Sequence, residues 1–247
     1  NNTGEMKSKP TQHAVRALSS VGIQADIIIA RSSVPMDQPR KEKISRLCNV
    51  HAQDIISAPD VGSIYEVPLN FERDHIVDRI LYKVKLKPKR HNHVVWRHLV
   101  QSIHRVKKPV KIAIVGKYFA SGDFALTDSY LSVIEAVKHA SWAQGRKPQI
   151  TWLSAEAYEK NPAKLKELAR FDGVIIPGGF GGRGVDGKIA VIKFLRQHKI
   201  PFLGLCYGLQ LAVVEFARNV VGLKKAHTTE IDSKTPHPVI DTLPDQV

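Results

Sequence analysis

The chain has 247 residues, of which 43% are hydrophobic and 24% are charged, and its formal net charge is +14. These proportions are typical of a globular protein with one large domain or two small ones. There is no run of about 18 apolar residues, so the sequence predicts no membrane-spanning helix and no membrane partner. Cys48 and Cys206 are the only cysteines, which favours a reducing, cytoplasmic location over a disulfide-stabilised fold.

The excess of basic residues is concentrated between Lys83 and Lys108, where there are nine Lys or Arg, four His and no acidic residue. Such a run could bind nucleic acid. However, Trp96 is the only aromatic residue within it, and nucleic-acid grooves usually stack bases on several aromatic side chains. A solvated linker is therefore the favoured interpretation, and no nucleic-acid partner is expected.

Short strands and helices alternate in the first part of the chain, which predicts an α/β arrangement. Thr11 is predicted to cap the first helix, and Ile44, Leu47 and Cys48 are predicted to face inward from the second. The predicted strands are 26–30 and 55–56, and the predicted helices are 11–19, 39–48 and 71–84.

Lys7, Lys9 and Gln12 cluster where the chain enters the first predicted helix. Two ammonium groups near a helix N-terminus suit a polyphosphate. The Gln12 amide could read the edge of a base, because it offers both a donor and an acceptor. Taken alone, the cluster is interpreted as a solvated basic turn, and a nucleotide site is the alternative that a second signal would favour.

Residues 85–109 are predicted to be a basic linker that contains an amphipathic helix at 94–106, anchored by Val95, Leu99 and Ile103. A second α/β unit follows. Its predicted strands are 111–116, 149–153, 173–176 and 202–205, and its predicted helices are 126–142, 161–169, 188–198 and 209–220. This order implies a mostly parallel sheet with right-handed crossovers. Such sheets carry their sites at the carboxyl ends of the strands.

Cys206 falls on the predicted turn between the last strand and the last helix, and Gly204 and Gly208 flank it. This arrangement is that of a nucleophile elbow with sulfur in place of oxygen. A thiol at a helix N-terminus also faces unpaired N–H groups, which favour the thiolate. A buried structural cysteine is the alternative, but the elbow favours a nucleophile.

A glycine-rich loop, residues 177–184, contains a G-x-G-x-x-G pattern that starts at Gly179. The pattern alone permits a dinucleotide site. The acidic residue that should hold a ribose about 20 positions later is missing, however, and Cys206 lies there instead. The competing interpretation uses both features, because backbone N–H groups of the glycine turn and of Tyr207 would converge beside the sulfur as an oxyanion hole. No histidine pair has metal-ligand spacing with acidic residues, so no metal site is predicted.

The motifs around the cysteine resemble a known family. Residues 177–181 (PGGFG) and 204–210 (GLCYGLQ) resemble the class I, triad-type glutamine amidotransferase domain. Residues 4–13 (GEMKSKPTQH) resemble the part of CTP synthase that holds UTP. Further segments match in the same order along the chain, at 41–44, 48–50, 63–68, 115–118, 128–135 and 228–230. The sequence therefore resembles the CTP synthase family over nearly its whole length.

The resemblance implies a ligase that uses ATP to phosphorylate the uracil 4-oxygen of UTP, after which ammonia displaces phosphate to give CTP. The ammonia would come from glutamine hydrolysed in the amidotransferase domain. The same resemblance implies Mg²⁺ with the ATP, GTP as an allosteric activator, and CTP as a feedback inhibitor. It also implies a homotetramer that acts in cytoplasmic pyrimidine biosynthesis.

The resemblance implies a role for individual residues. Cys206 would attack the glutamine amide and form a thioester, and Arg183 would belong to the lid that responds to GTP. The residues implied to bind glutamine are Gly179 and Tyr207 as oxyanion donors, Gly208, Leu209, and Gln210 and Glu230 at its amino-acid end. Those implied to bind UTP or CTP are Lys7, Ser8, Lys9, Pro10, Thr11, Gln12 and Lys43, and those implied to contact the adenine of ATP are Asp60 and Val61.

The sequence departs from this family at both ends. It has no counterpart of the family's catalytic His and Glu, its ATP-phosphate loop or its magnesium-binding acids. We therefore expect 1–84 to be the end of a P-loop-type α/β synthetase (amidoligase) domain, 85–109 a linker and 110–247 a truncated amidotransferase domain with a doubly wound parallel sheet. This piece alone is expected to be inactive. The alternatives are a non-catalytic binding or assembly module, and a freestanding amidotransferase or γ-glutamyl hydrolase, against which the UTP-like segment argues.

Overall fold

The computed structural model describes residues 7–87, 89, 93–116, 130–179 and 181–243. The chain divides into two compact units, Asn1–Gln101 and Ser102–Val247. Both units combine helices with parallel strands, as the sequence predicts. None of the helices within the described ranges is long and apolar enough to cross a bilayer.

The first unit is built on two parallel strands with helices packed around them. β1 (Ile28–Ser32) pairs with β2 (Ile55–Pro59), so that Ile28 lies opposite Ile55. Its core joins these strands to Ile44 and Cys48. The helices are α1 (Lys9–Ser20), α2 (Gln38–Cys48), α3 (Val67–Arg73), α4 (Ile76–Lys83) and α5 (Val94–Arg105), which crosses the unit boundary.

Two predictions about the first two helices are wrong. Ser8 occupies the N-cap position of α1 in place of Thr11, and no side chain caps that end. Pro10 explains the earlier start, because a proline in the first turn loses no helical hydrogen bond. Leu47 is 48% exposed, whereas Ile44 and Cys48 are buried. Ile44 and Cys48 lie one helical turn apart, so a single face of α2 reaches the core.

The single helix predicted at 71–84 is two helices in the structure. The chain leaves the helical conformation at His75, whose φ is 54°. The carboxylate of Asp74 accepts hydrogen bonds from the Ser57 N–H (2.6 Å) and from Lys41 Nζ (2.9 Å). The break therefore ties the end of α3 to β2 and α2, contacts that no local periodicity can reveal.

Helix α5 confirms the helix predicted in the basic segment, but one of its proposed anchors is wrong. Val95 is 80% exposed, while Val100 is buried. Trp96 also holds the helix, because its indole N–H donates to the Tyr65 carbonyl at 2.8 Å. Leu99 is only partly buried.

The second unit is a four-stranded parallel sheet in the order β4-β3-β5-β6, which confirms the predicted parallel arrangement. The strands are β3 (Pro109–Gly116), β4 (Lys147–Ser154), β5 (Gly173–Ile176) and β6 (Phe202–Gly204). The helices are α6 (Leu131–Ala143), α7 (Ala155–Lys160), α8 (Val185–Gln197) and α9 (Tyr207–Phe216). A separate parallel pair is formed by β7 (Ala226–Thr228) and β8 (His237–Ile240).

The helix predicted at 161–169 is wrong in kind. α7 occupies 155–160, and a 3-10 helix, Pro162–Arg170, follows it. Asn161 separates the two with a non-helical backbone, and its side chain accepts the N–H of Ala163. The ring of Pro162 cannot sit inside a continuous α-helix, which accounts for the break.

The helix predicted at 209–220 rests on apolar residues at helical spacing, namely Leu209, Ala212, Val213, Phe216 and Val220. That spacing does not mark its buried face. Leu209 and Phe216 are at least half exposed, whereas Leu211 and Val214 are completely buried. The α-helix also ends earlier than predicted, and a π-helical turn continues it over Ala217–Val221. The buried face of α9 packs against α8 and the sheet, with Ile192, Leu195 and Ile176 in the same core.

Candidate active site

Cys206 lies on the turn between β6 and α9, as predicted, and its side chain is exposed. Its backbone has φ 50° and ψ −112°, a conformation that is strained for a residue with a side chain. This is the backbone feature of a nucleophile elbow. The alternative of a buried structural cysteine applies instead to Cys48, where burial raises the pKa of the thiol.

Gly204 and Gly208 allow the chain to pack closely around this turn. A Cβ on Gly208 would lie 1.9 Å from the Ile176 carbonyl oxygen, and one on Gly204 would lie 2.6 Å from the Gly208 carbonyl group. Any larger residue would push α9 away from β5 and β6. Glycines beside Cys206 can serve either a tight backbone turn or close packing, and the geometry shows close packing at both positions.

The glycine-rich loop runs beside the cysteine. A Cβ built on Gly178 would be 3.7 Å from the Cys206 sulfur, so a side chain at this position would touch the thiol, and glycine leaves that space open. Two side chains bind the carbonyl groups of this segment. Lys188 Nζ donates to the Pro177 oxygen at 3.2 Å, and the Tyr130 hydroxyl donates to the Gly178 oxygen at 3.3 Å.

Glu230 joins the far part of the loop. Its carboxylate accepts the Gly181 N–H at 3.1 Å, and its own N–H donates to Thr228 Oγ1 at 3.3 Å. Burial, with a further contribution from the Glu230 charge, raises the pKa of the Tyr207 hydroxyl to about 12. The glycine loop, the start of α9 and the segment after β7 therefore meet at one edge of the sheet.

The remaining residues predicted to bind glutamine lie along the first turns of α9. Gly208 is buried, Leu209 is exposed, and Gln210 is partly buried with its N–H donated to the Cys206 carbonyl at 3.1 Å. Arg183, the predicted lid residue, forms an ion pair with Glu156 at 2.8 Å. Sequence patterns did not indicate Glu156, because this pairing joins α7 to a loop 27 positions later.

A second candidate site lies in the first unit. Lys7, Ser8, Thr11, Lys43 and Asp60 line one cavity of about 710 Å³. The other residues predicted to bind nucleotide, Lys9, Pro10, Gln12 and Val61, do not line it. The Gln12 amide instead donates to the Ser8 hydroxyl at 3.1 Å.

Arg31 is a residue of this cavity that sequence reasoning missed. It forms an ion pair with Asp60 at 2.7 Å, and Arg40 also lines the cavity. The position of Arg31 near the carboxyl end of β1 could have identified it, because parallel sheets bind their ligands at that edge. Four cationic side chains therefore line the cavity: Lys7, Arg31, Arg40 and Lys43. Two of them are paired with acidic residues of the same lining, Arg31 with Asp60 and Arg40 with Asp37.

Some predicted features lie outside the described residues. These are the segments 4–6, 117–118, 128–129 and Phe180 of the glycine turn. Within the described residues, no group of three His, Cys, Asp or Glu side chains is arranged to hold a metal ion.

An exposed cysteine at a strained strand–helix turn, with a glycine loop beside it on a parallel sheet, defines a class I glutamine amidotransferase domain. The family Glutamine amidotransferase class-I matches residues 125–245, and the family CTP synthase N-terminus matches residues 1–86. The chain belongs to the CTP synthase family.

Curated CTP synthases from two archaea are among its most similar relatives. The one from Methanosarcina acetivorans is 46% identical and the one from Pyrococcus furiosus 49% identical, each over 243 residues and 98% of this chain. The chain spans 44% of the length of each. A solved structure described as the Trypanosoma brucei CTPS glutaminase domain with bound acivicin is 36% identical, with a TM-score of 0.51. That match covers 56% of this chain and 52% of the solved one.

Proposed function

We propose that this chain contributes to the ATP-dependent amination of UTP to CTP, with ammonia supplied by glutamine hydrolysis at Cys206. The observation that carries the glutaminase part is the exposed, strained Cys206, with Gly178 leaving open the space beside its sulfur. The match of residues 1–86 to a CTP synthase N-terminus supports the synthase part. A freestanding amidotransferase or γ-glutamyl hydrolase has no use for such a segment.

In the glutaminase reaction, the Cys206 sulfur attacks the carbon of the glutamine side-chain amide. A C–S bond forms, the C–N bond breaks, and the nitrogen leaves as ammonia with the proton of the thiol. Water then cleaves the thioester to give glutamate and regenerates the thiol. The N–H groups of Gly179 and Tyr207 are proposed to donate to the oxyanion that forms in each step.

The amino-acid end of glutamine is proposed to lie against Glu230 and Gln210. A carboxylate such as Glu230 suits the substrate ammonium group, and the Gln210 amide suits its polar head. Glu230 already contacts the Gly181 N–H. Substrate binding would therefore couple the glycine loop to the segment after β7. Gly208 and Leu209 complete the proposed glutamine contacts.

The nucleotide part of the proposal rests on the cavity of the first unit. The cavity is lined by four cationic side chains, Lys7, Arg31, Arg40 and Lys43, and by two acidic ones, Asp37 and Asp60. The net positive charge suits the triphosphate of UTP, or of CTP as a feedback inhibitor. Ser8 and Thr11 offer hydroxyl groups at the same wall. Asp60, with Val61 beside it, is proposed to contact the adenine of ATP. We keep Lys9, Pro10 and Gln12 as predicted UTP contacts, although they do not line the cavity.

Further parts of the proposal follow from the family. ATP would be used with Mg²⁺, GTP would act as an activator through the loop that contains Arg183, and the enzyme would be a cytoplasmic homotetramer. The domain assignment proposed is a synthetase part at 1–84, a linker at 85–109 and an amidotransferase part at 110–247.

Replacing the nucleophile tests the proposal in the complete protein that carries this sequence. Cys206→Ala should abolish CTP formation from UTP, ATP and glutamine, yet leave CTP formation from ammonia at the wild-type rate. Cys48→Ala is the matched control and should retain activity with both nitrogen sources. Loss of the ammonia-dependent reaction in Cys206→Ala, or a wild-type protein that releases glutamate but never forms CTP, contradicts the proposal.

A further inference from the structure

The peptide between Gly178 and Gly179 is held by a side chain from outside the glycine loop. The Tyr130 hydroxyl donates to the Gly178 carbonyl oxygen at 3.3 Å. Lys188 Nζ, from α8, donates to the carbonyl oxygen of the preceding residue, Pro177, at 3.2 Å. Two successive carbonyl groups of this segment are therefore each bound by a buried side chain.

The orientation of the Gly178 carbonyl determines the direction of the Gly179 N–H. Both groups belong to one planar trans peptide, in which the C=O and N–H bonds point in opposite directions. Glycine on both sides lets this peptide rotate more easily than any other pair would allow. A hydrogen bond to the carbonyl oxygen is therefore an efficient way to fix the N–H on the opposite side.

Among the described residues, no acceptor receives the Gly179 N–H, so this group can donate to a substrate. The adjacent Gly178 lies against Cys206, where the oxyanion would form. A donor that points to the developing charge before the reaction begins is worth most, because no reorganisation is needed in the transition state.

We propose that Tyr130 is a positioning residue for glutamine hydrolysis, which orients the Gly178–Gly179 peptide so that the Gly179 N–H donates to the oxyanion. This inference rests on the proposed glutaminase function and extends it to a residue 76 positions before the nucleophile. Lys188 binds the neighbouring Pro177 carbonyl, whereas Tyr130 fixes the orientation of the Gly178–Gly179 peptide.

Tyr130 is well placed for this role because its own position is fixed. Its side chain is 6% exposed, and its ring lies 6.1 Å from that of Trp152 on β4. It also immediately precedes the first residue of α6. A buried ring held by the sheet and by a helix end keeps its hydroxyl in place better than an exposed loop residue would.

The test is Tyr130→Phe in the complete protein, which removes the hydroxyl and keeps the ring. The hydrogen bond from Tyr130 to the Gly178 carbonyl is long for a hydroxyl donor, so we expect it to contribute no more than an ordinary neutral hydrogen bond. Its loss should therefore lower kcat for glutamate release by about tenfold. The KM for glutamine should change by less than about twofold, because a donor to the oxyanion acts mainly in the transition state. Ammonia-dependent CTP formation should stay at the wild-type rate.

A second readout separates positioning from general damage. Glutamate γ-semialdehyde adds to a thiol and places an oxyanion at the same position, so its inhibition constant should rise by about tenfold in Tyr130→Phe. Alkylation of Cys206 by iodoacetamide forms no oxyanion and should keep its wild-type rate. Tyr158→Phe is the matched control, because it also removes a buried hydroxyl, which donates to Glu167 at 2.9 Å. In this variant, both the inhibition constant of the aldehyde and the rate of alkylation by iodoacetamide should be unchanged.

Two results would overturn the inference. One is a Tyr130→Phe protein with wild-type kcat and wild-type affinity for the aldehyde. The other is an equal loss of iodoacetamide reactivity, which would show that the whole elbow has shifted. A wild-type protein that releases no glutamate would instead remove the proposed glutaminase function, and this inference with it.

Discussion

At the scale of single residues, the turn at Cys206 depends on two glycines that bring α9 close to the sheet. The backbone of Cys206 is strained, and contacts with neighbouring residues must stabilise this conformation. Gly208 has no room for a side chain, because a Cβ would come within 1.9 Å of the Ile176 carbonyl oxygen. The elbow can therefore adopt its shape only because Gly204 and Gly208 have no side chains.

Gly208→Ala should destabilise the protein by about 3 kcal/mol, because the backbone of β5 cannot yield as a side chain would. Urea unfolding followed by tryptophan fluorescence measures the change. Gly182→Ala is the matched control, since its Cβ would meet nothing nearer than 4.0 Å, and it should unfold as the wild type does. Equal stability of the two variants would contradict the packing argument.

The pH behaviour of Tyr207 follows from its burial. Its pKa is raised to about 12 from a usual value of 10, so the folded state favours the protonated hydroxyl. The corresponding stabilisation is complete below pH 10 and is lost as the pH rises through about 12. Alkaline titration of tyrosinate absorbance in wild type and Tyr207→Phe checks this. The variant should lack one phenol that ionises late, and a lost phenol that ionises near pH 10 would contradict the assignment.

At the scale of elements, an ion pair joins the C-terminal ends of α8 and α9. Two nitrogens of the Arg196 guanidinium, Nε and Nη2, donate to the Glu215 carboxylate at 2.9 and 2.8 Å, and Glu215 is only 1% exposed. A buried carboxylate without its partner is costly, whereas removal of both charges is often tolerated.

Arg196→Met should therefore lower the free energy of unfolding by about 3 kcal/mol, because it strands the Glu215 charge. The double variant Arg196→Met with Glu215→Leu should recover most of that loss. Thermal unfolding of the two proteins and the wild type measures both changes. A double variant that is less stable than Arg196→Met would contradict the argument that the loss comes from the unpaired Glu215 charge.

Local patterns were enough to predict most of the strands and the elbow, but not the breaks in the helices or the contacts between elements. Strand, turn and helix around Cys206 are consecutive in the chain, so apolar runs and flanking glycines reveal them. The break at His75 depends on Asp74 bonding to Ser57 and Lys41. Such pairings join residues far apart in sequence, and the spacing of apolar residues along the chain cannot predict them.

Arg31 shows the same limit in the nucleotide cavity. It lies on a strand, where an exposed arginine usually means a solvated face. Its ion pair with Asp60 and its place in the cavity appear only when β1 and β2 are paired. The basic character of Lys7 and Lys43 was visible in the sequence, but their shared cavity with Arg31 required the fold.

At the scale of the whole molecule, the two candidate sites lie in separate compact units with different chemistry. The first unit holds a cavity surrounded by cationic side chains, and the second holds an exposed thiol beside a glycine loop. The proposed reaction needs both sites when glutamine is the nitrogen source, whereas with added ammonia it needs only the site that binds UTP. Variants of the two sites should therefore have separable effects.

Lys43→Ala in the complete protein should raise the KM for UTP by about tenfold, the effect of one charge-assisted contact to a phosphate. Because UTP is needed for either nitrogen source, the increase should be the same with glutamine and with ammonia, whereas Cys206→Ala should affect the glutamine reaction alone. Steady-state CTP formation with each nitrogen source measures this, with Lys147→Ala, an exposed lysine of the second unit, as the matched control. The increase should shrink at high salt, because the lost interaction is electrostatic. A Lys43→Ala protein with unchanged UTP dependence, or with a defect confined to glutamine, would remove the cavity of the first unit from the nucleotide proposal.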